Sequence, residues 1–181
     1  MKHYFNHINA TIKKYWDLPA ISNFGAETLT YGDLATGIEK YHILFKECGI
    51  KKDDKIAICG GNSAQWGVAY LAVAAYDAVL VPLLPDFLPK SVVELTCFAD
   101  CRMLIVDNDI LRGLEREDAL KGYEGQPDFL GVFNLKTMTP VAAEFIRNGP
   151  IPMASESFAT LMSRLTIPFS KWNGLDLSLK W

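Results

Sequence analysis

The chain has 181 residues, 50% of them hydrophobic and 22% charged, with 18 Lys and Arg against 21 Asp and Glu for a net charge of −3. That mixture excludes a disordered, collagen-like or mucin-like chain. The charge argues against a protein whose affinity rests on phosphate contacts, so no nucleic-acid partner is expected.

Residues 2–16 read as a first helix, with Phe5, Ile8, Ile12 and Tyr15/Trp16 near a 3.6 period, closed by Pro19. Ala20–Phe24 and Glu27–Leu29 flank Gly25 as a short hairpin. Thr30 is placed to cap the next helix on the Asp33 N–H. That helix carries Leu34, Ile38, Tyr41, Phe45 and Cys48 as one apolar stripe and ends at Gly49, a left-handed cap.

Lys55–Cys59 reads as a buried strand and Gly60-Gly61 as a turn. Asn62 with Gln65 reads as a capping box for an apolar helix over 63–76. Asp77 stands where a helix must turn at once into a strand, a left-handed position that Asp tolerates. A buried strand follows at Ala78–Val81, then a proline-marked loop, a helix at Pro89–Ala99 and a strand at Met103–Val106. The alternation over 31–106 predicts an α/β fold: a mainly parallel sheet flanked by helices. Further on, a helix is expected at Asn108–Glu117, a strand at Leu130–Leu135, and helices at Thr137–Asn148 and Ser155–Leu165. One domain over 1–165 with an irregular tail at 166–181 is the expected organisation.

The N-terminus has no apolar run and no small-residue cleavage site, so it is not a secretory signal. Trp66–Leu84 imitates a membrane span, but Asp77 sits near its middle. A buried helix and strand explain the run without placing a charge in lipid. Cys48, Cys59, Cys97 and Cys101 lie in apolar contexts and read as buried thiols of a cytoplasmic protein. Cys97 and Cys101, four apart, are spaced to share a helix face, with no second pair to complete a zinc site. His3 and His7 read as helix-surface residues, and no metal site is expected.

The junction Gly60-Gly61-Asn62-Ser63 is where an α/β protein would hold a phosphate. It matches neither glycine fingerprint and no Lys follows, so it reads as a tight turn. Asp107 and Asp109 end a strand and read as a solvated loop. No catalytic constellation is present. Asn62, Ser63, Trp66 and Pro82 are the ligand-facing candidates, being at or near the carboxyl edge where open sheets bind ligands. Packing and capping compete with that role.

The segments occur in a specific order. Leu29-Thr30-Tyr31-Gly32-Asp33-Leu34 opens a helix ending in Cys48-Gly49-Ile50. Lys52-Asp53-Asp54-Lys55-Ile56-Ala57-Ile58 follows, then Gly61-Asn62-Ser63-Ala64-Gln65-Trp66. Next come Ala72-Val73-Ala74-Ala75-Tyr76-Asp77-Ala78-Val79-Leu80-Val81-Pro82-Leu83 and Leu104-Ile105-Val106-Asp107. This resembles the N-terminal region of adenylate-forming (AMP-binding) enzymes, closest to long-chain fatty-acid–CoA ligases. The departures are Asp54-Lys55 for aspartate-arginine and Asp77 for glycine.

The resemblance implies a parent reaction in which fatty acid, ATP and Mg²⁺ give an acyl-adenylate, which CoA converts to a thioester. It also implies a Ser/Thr/Gly-rich loop ending in proline-lysine-glycine, a ribose-binding aspartate and a C-terminal lysine. None is found in the 181 residues. The expectation is therefore an N-terminal fragment or truncated member, inactive and without cofactor on its own, cytoplasmic, and peripheral at a membrane only in full-length form. The alternatives are a non-catalytic acyl- or protein-binding module on the same scaffold, and an unrelated doubly wound nucleotide-binding protein. An open α/β layer would leave apolar surface uncovered, so self-association is expected.

Overall fold

The computed structural model of the chain describes residues 2–141. Helix α1 (Lys2–Lys14) precedes a hairpin of β1 (Pro19–Ser22) and β2 (Thr28–Thr30), then helix α2 (Tyr31–Glu47). Strand and helix alternate from there: β3 (Lys55–Cys59), α3 (Ala64–Ala75), β4 (Val79–Leu83), α4 (Pro89–Phe98), β5 (Cys101–Val106) and α5 (Asn108–Arg116). A 3₁₀ turn (Ala119–Tyr123), β6 (Gly131–Asn134) and β7 (Pro140–Val141) complete the described chain. The larger sheet has the order β4-β3-β5-β6-β7, parallel except for β7.

Parallel strands with helical crossovers bury both faces, so inner strands are apolar throughout. Ile56 and Ile58 of β3, Met103 and Ile105 of β5 and Phe133 of β6 enter one core. Ala57, Cys59, Leu104, Val106 and Val132, which alternate with them, enter a second. The stripe Leu34, Ile38, Tyr41, Phe45 and Cys48 buries α2 in the first core, beside Val68, Ala69, Ala72 and Val73 of α3. The two helices approach closely: a Cβ added to Gly37 would lie 2.6 Å from Val68 Cγ1. Val92 and Val93 of α4, Leu114 of α5, Tyr123 and Phe129 fill the second core.

Local chemistry sets the element ends. Thr30 Oγ1 accepts the Asp33 N–H at 3.1 Å and Asp33 Oδ2 accepts the Thr30 N–H at 2.9 Å, a full capping box. Gly49 has φ +68°. Asp53, Asp77, Asp100 and Asp118 also take positive φ, and the Asp77 turn connects α3 to β4 as the sequence requires. Arg102 Nη1 meets Asp54 Oδ2 at 2.8 Å and the Gly49 carbonyl at 3.2 Å, tying the amino end of the sheet to the end of α2. No helix of the described residues is long and apolar enough to cross a membrane.

Three expectations are corrected. The strand after Asp77 is the sheet's edge and is partly exposed rather than buried, with Pro82 inside it; proline, lacking an N–H, belongs at an edge. Cys97 and Cys101 do not share a helix, because Asp100 at φ +53° ends α4 and Cys101 begins β5. No helix starts at Thr137. Asn134 Oδ1 accepts the N–H groups of Lys136 and Thr137 at 2.9 Å each, and the turn returns the chain as β7. The remainder of that expected helix, the one at 155–165, the domain limit at 165 and the tail lie outside the described residues.

His42 is buried between α2 and α3, where its Nε2 donates to the Ala72 carbonyl at 3.0 Å. Burial lowers its pKa to about 4, the Ala72 bond opposing that shift. The unfolded chain takes up a proton near pH 6.5 and the folded chain only near 4. Stability is therefore complete above 6.5 and is lost as pH falls from 6.5 to 4, by up to roughly 3 kcal/mol at about 1.4 kcal/mol per unit. Urea unfolding across this window should show that slope, and His42→Gln should flatten it.

Candidate functional site at the carboxyl edge

The chain passes from β3 through α3 to β4 on one side, then through α4 to β5 on the other side of β3. The topological switch point thus lies between the carboxyl ends of β3 and β5, where loops diverge and leave a crevice. A cleft of about 430 Å³ occupies it, lined by Asn62, Ser63, Asp107, Arg112, Asn134 and Lys136 among others.

One carboxylate organises the cleft. Asp107 Oδ1 caps α5, accepting the N–H groups of Asp109 at 3.1 Å and Ile110 at 2.9 Å. Its Oδ2 crosses the switch point and accepts the Gly61 N–H at 2.9 Å. A Cβ on Gly60 would stand 3.0 Å from that oxygen, so the neighbouring glycine gives it room. Asn134 extends the stitching: its Nδ2 donates to Asn108 Oδ1 at 2.6 Å, and Leu135 N–H donates to the Val106 carbonyl at 2.7 Å. The ends of β3, β5 and β6 are thereby joined by side-chain and backbone bonds.

The amino end of α3 is also satisfied from within. Ser63 Oγ accepts the Trp66 N–H at 3.1 Å, and Asn23 of the hairpin accepts the Ala64 N–H at 2.7 Å. The Gly61, Ala64 and Trp66 amides at this junction are bonded to Asp107, Asn23 and Ser63. The tight-turn reading of Gly60–Ser63 fits this geometry better than a phosphate cradle.

Two expectations change. The cap of α3 is Ser63 and not Asn62. Gln65 reaches outward to Asn23 and Glu27 instead of closing a box. Asp107 is a cap and latch rather than a solvated loop residue. Asp109, by contrast, is exposed and pairs with Arg112.

Of the four candidate residues, Asn62 and Ser63 line the cleft. Trp66 packs against the first core and stacks on Tyr70 with ring centroids 5.6 Å apart. Pro82 sits in edge strand β4, which does not line the cleft. The sequence does not single out Asn23 or Asn134, and it places Asp107 at this edge only as a loop residue. Asp directly before a predicted helix is a cap signal, whereas Asn23 acts from 41 residues away.

Among the described residues no cluster of three or more His, Cys, Asp or Glu could hold a metal ion. Burial pushes the Cys48 and Cys59 thiols up to about 12 and Cys101 up to about 11, so these three stay protonated at neutral pH. They are packing groups and not nucleophiles.

Residues 8–144 match the family described as AMP-binding enzyme. Acetyl-coenzyme A synthetase of Desulfatibacillum aliphaticivorans is 29% identical over 114 residues, 60% of this chain and 18% of that protein. Surfactin synthase subunit 2 of Bacillus subtilis (strain 168) is 29% identical over 77 residues, 42% of this chain and 2% of that protein. Among solved structures, coronafacic acid ligase from Pectobacterium brasiliense superposes with a TM-score of 0.63 at 20% identity, over 72% of this chain and 25% of that one. A benzoate CoA ligase from Burkholderia xenovorans LB400 gives 0.63 at 14% identity, over 78% and 27%. At these identities the structural likeness establishes the fold. The chain spans about a quarter or less of the length of these relatives.

Removing the Asp107 latch should cost more than removing either Ser63 or Asn62 at the start of α3. Asp107→Ala should lower stability by roughly 2 kcal/mol, through a lost cap and an unpaired Gly61 N–H. Ser63→Ala should cost about 1 kcal/mol, and Asn62→Ala, at an exposed position, less than about 0.5 kcal/mol. Urea denaturation of the three variants checks the order.

Proposed function

Since the chain belongs to the AMP-binding enzyme family, we propose that it forms the first α/β layer of a ligase that activates a carboxylic acid as its adenylate and passes the acyl group to CoA. The family match over residues 8–144 carries this reading, because it takes in every strand of both sheets. In the reaction proposed, the acid's carboxylate oxygen attacks the α-phosphorus of ATP and pyrophosphate leaves. The CoA thiol then attacks the acyl carbon, the thioester bond forms, and AMP leaves with the bonding electron pair.

This chain's part is architectural. Asp107 and Asn134 fix the loops around the switch-point cleft, and Asn62 and Ser63 turn polar groups toward it. The magnesium ion that the family resemblance implies finds no carboxylate cluster among the described residues, and no step is assigned to it. The sequence lacks the Ser/Thr/Gly-rich loop ending in proline-lysine-glycine. We therefore take the 181-residue chain to be inactive alone, since phosphate charge needs preorganised donors. The resemblance of the ordered segments from Leu29 to Asp107 to fatty-acid–CoA ligases supports a fatty acid as the acid, and the free cysteines support a cytoplasmic setting. A second reading, an acyl-binding module on the same scaffold, draws support from exposed Leu84 and Leu88 in the loop after β4.

ATP–pyrophosphate exchange tests the inactivity. The 181-residue chain with acetate, benzoate, decanoate or palmitate should show no acid-dependent exchange, and turnover with any of them would overturn it. The product of the complete reading frame, assayed with the same acids, should give its highest kcat/KM with the fatty acids. Saturable quenching of Trp fluorescence by palmitate in the 181-residue chain would favour the second reading.

A further inference from the structure

Among the described residues the sheet leaves large apolar side chains exposed along one flank. Strand β4 is its edge, and Val79, Val81 and Leu83 point to the same side of it at period two. Val81 and Leu83 reach the second core beside Val92 and Val93 of α4. Val79, at the amino end of the strand, remains exposed. Helix α4 carries a matching feature. Its buried residues are Val92, Val93 and Thr96, while Ser91, Leu95 and Phe98, in line with Leu88 at the N-cap, recur at spacings of 3, 4 and 3 on the adjoining side. Leu88 is 70% and Phe98 88% exposed, far above what a helix packed between neighbours shows.

We propose that this β4–α4 flank is an isologous interface at which a second copy of the chain packs its own α4 beside the first. Three observations choose that occupant. The first is area. Val79, Leu84, Phe87, Leu88, Leu95 and Phe98 together leave roughly 600 Å² open, taking roughly 150–250 Å² for a whole large side chain. With a polar rim, that approaches the roughly 800 Å² per partner of a standard interface. The second is charge. Lys90 and Glu94, exposed and 3.6 Å apart, edge the stripe with one charge of each sign, so two antiparallel copies of α4 can set each Lys90 against the other copy's Glu94. The third is Pro82, which has no N–H to offer a new strand. Sheet extension is thereby disfavoured and helix packing over the flank is left. A two-fold relation closes the assembly at two chains. This inference does not depend on the proposed reaction.

Sedimentation velocity of the 181-residue chain from about 2 to about 200 µM tests it. The expected mass moves from 20.2 kDa to twice that value with rising concentration. Leu95→Glu should stay at 20.2 kDa throughout with an unchanged far-ultraviolet circular dichroism spectrum. Phe24→Ser, at the fully exposed hairpin tip, should dimerise like the parent. Should Leu95→Glu fail to fold, Leu95→Ser is read the same way. In the parent chain, hydrogen exchange over 88–98 should slow as concentration rises. A parent chain monomeric at the highest concentration, a dimeric Leu95→Glu, a monomeric Phe24→Ser or an open-ended series of masses would each overturn the proposal.

Discussion

The Asp107 carboxylate accepts three backbone N–H groups drawn from two loops, one following β3 and one opening α5. A parallel sheet needs such a device. Its strands all end on the same edge, and every loop there must turn away while leaving amides behind. A carboxylate is the strongest uncharged-amide acceptor a side chain can supply. By bridging β3 and β5 across the switch point it also fixes the width of the cleft. Asn134 continues the same function toward β6 with a neutral amide, and Asn23 does so for the start of α3. The cleft is therefore a set of internally satisfied loops whose geometry is in place before any ligand arrives.

Behind that edge, the fold depends on β3 and β5 being apolar on both faces. The alternation of Ile56 and Ile58 with Ala57 and Cys59 sends large side chains to the α2–α3 layer and small ones toward α4. The closeness of α2 and α3 follows from Gly37, and their register is held by the bond from His42 to the Ala72 carbonyl. Tyr41 adds a tie between layers, its hydroxyl donating to the Leu135 carbonyl at 2.8 Å. The amino edge is held separately by Arg102, so the two edges do not share a network.

How much of this is legible in the sequence depends on the range of the interaction. Strand β3 is read to the residue because four apolar positions, Ile56 to Cys59, follow Lys55 between Asp54 and Gly60 with turn signals on both sides. The Thr30 cap, the Gly49 stop and the Asp77 turn are equally local. The sequence points to Asn62 as the cap because Asn and Ser are near-equal in preference, and only the position of the Trp66 N–H, bonded to Ser63, decides between them. The helix expected at Thr137 failed for a related reason: Asn134, a strand residue, captures two amides of the next turn. The Asn23 bond, the Gly61–Asp107 bond and the edge position of β4 are long-range, and nothing within a window of neighbours encodes them. The same limit applies to function. Segment order identified the family, whereas the cleft's lining had to be assembled from loops more than 40 residues apart.

The turns that take positive φ are built with aspartate at Asp53, Asp77, Asp100 and Asp118, where glycine would adopt the same backbone at no steric cost. Each such choice deposits a negative charge at a surface corner. With glycine in all four places the chain would lose four negative charges and move from −3 to +1. Its acidic isoelectric character is thus a by-product of chain reversal, spread over separate turns. Asp53, Asp77 and Asp100 meet at the amino edge of the sheet, where Lys55 pairs with Asp100 and Arg102 with Asp54, so that corner carries charges of both signs.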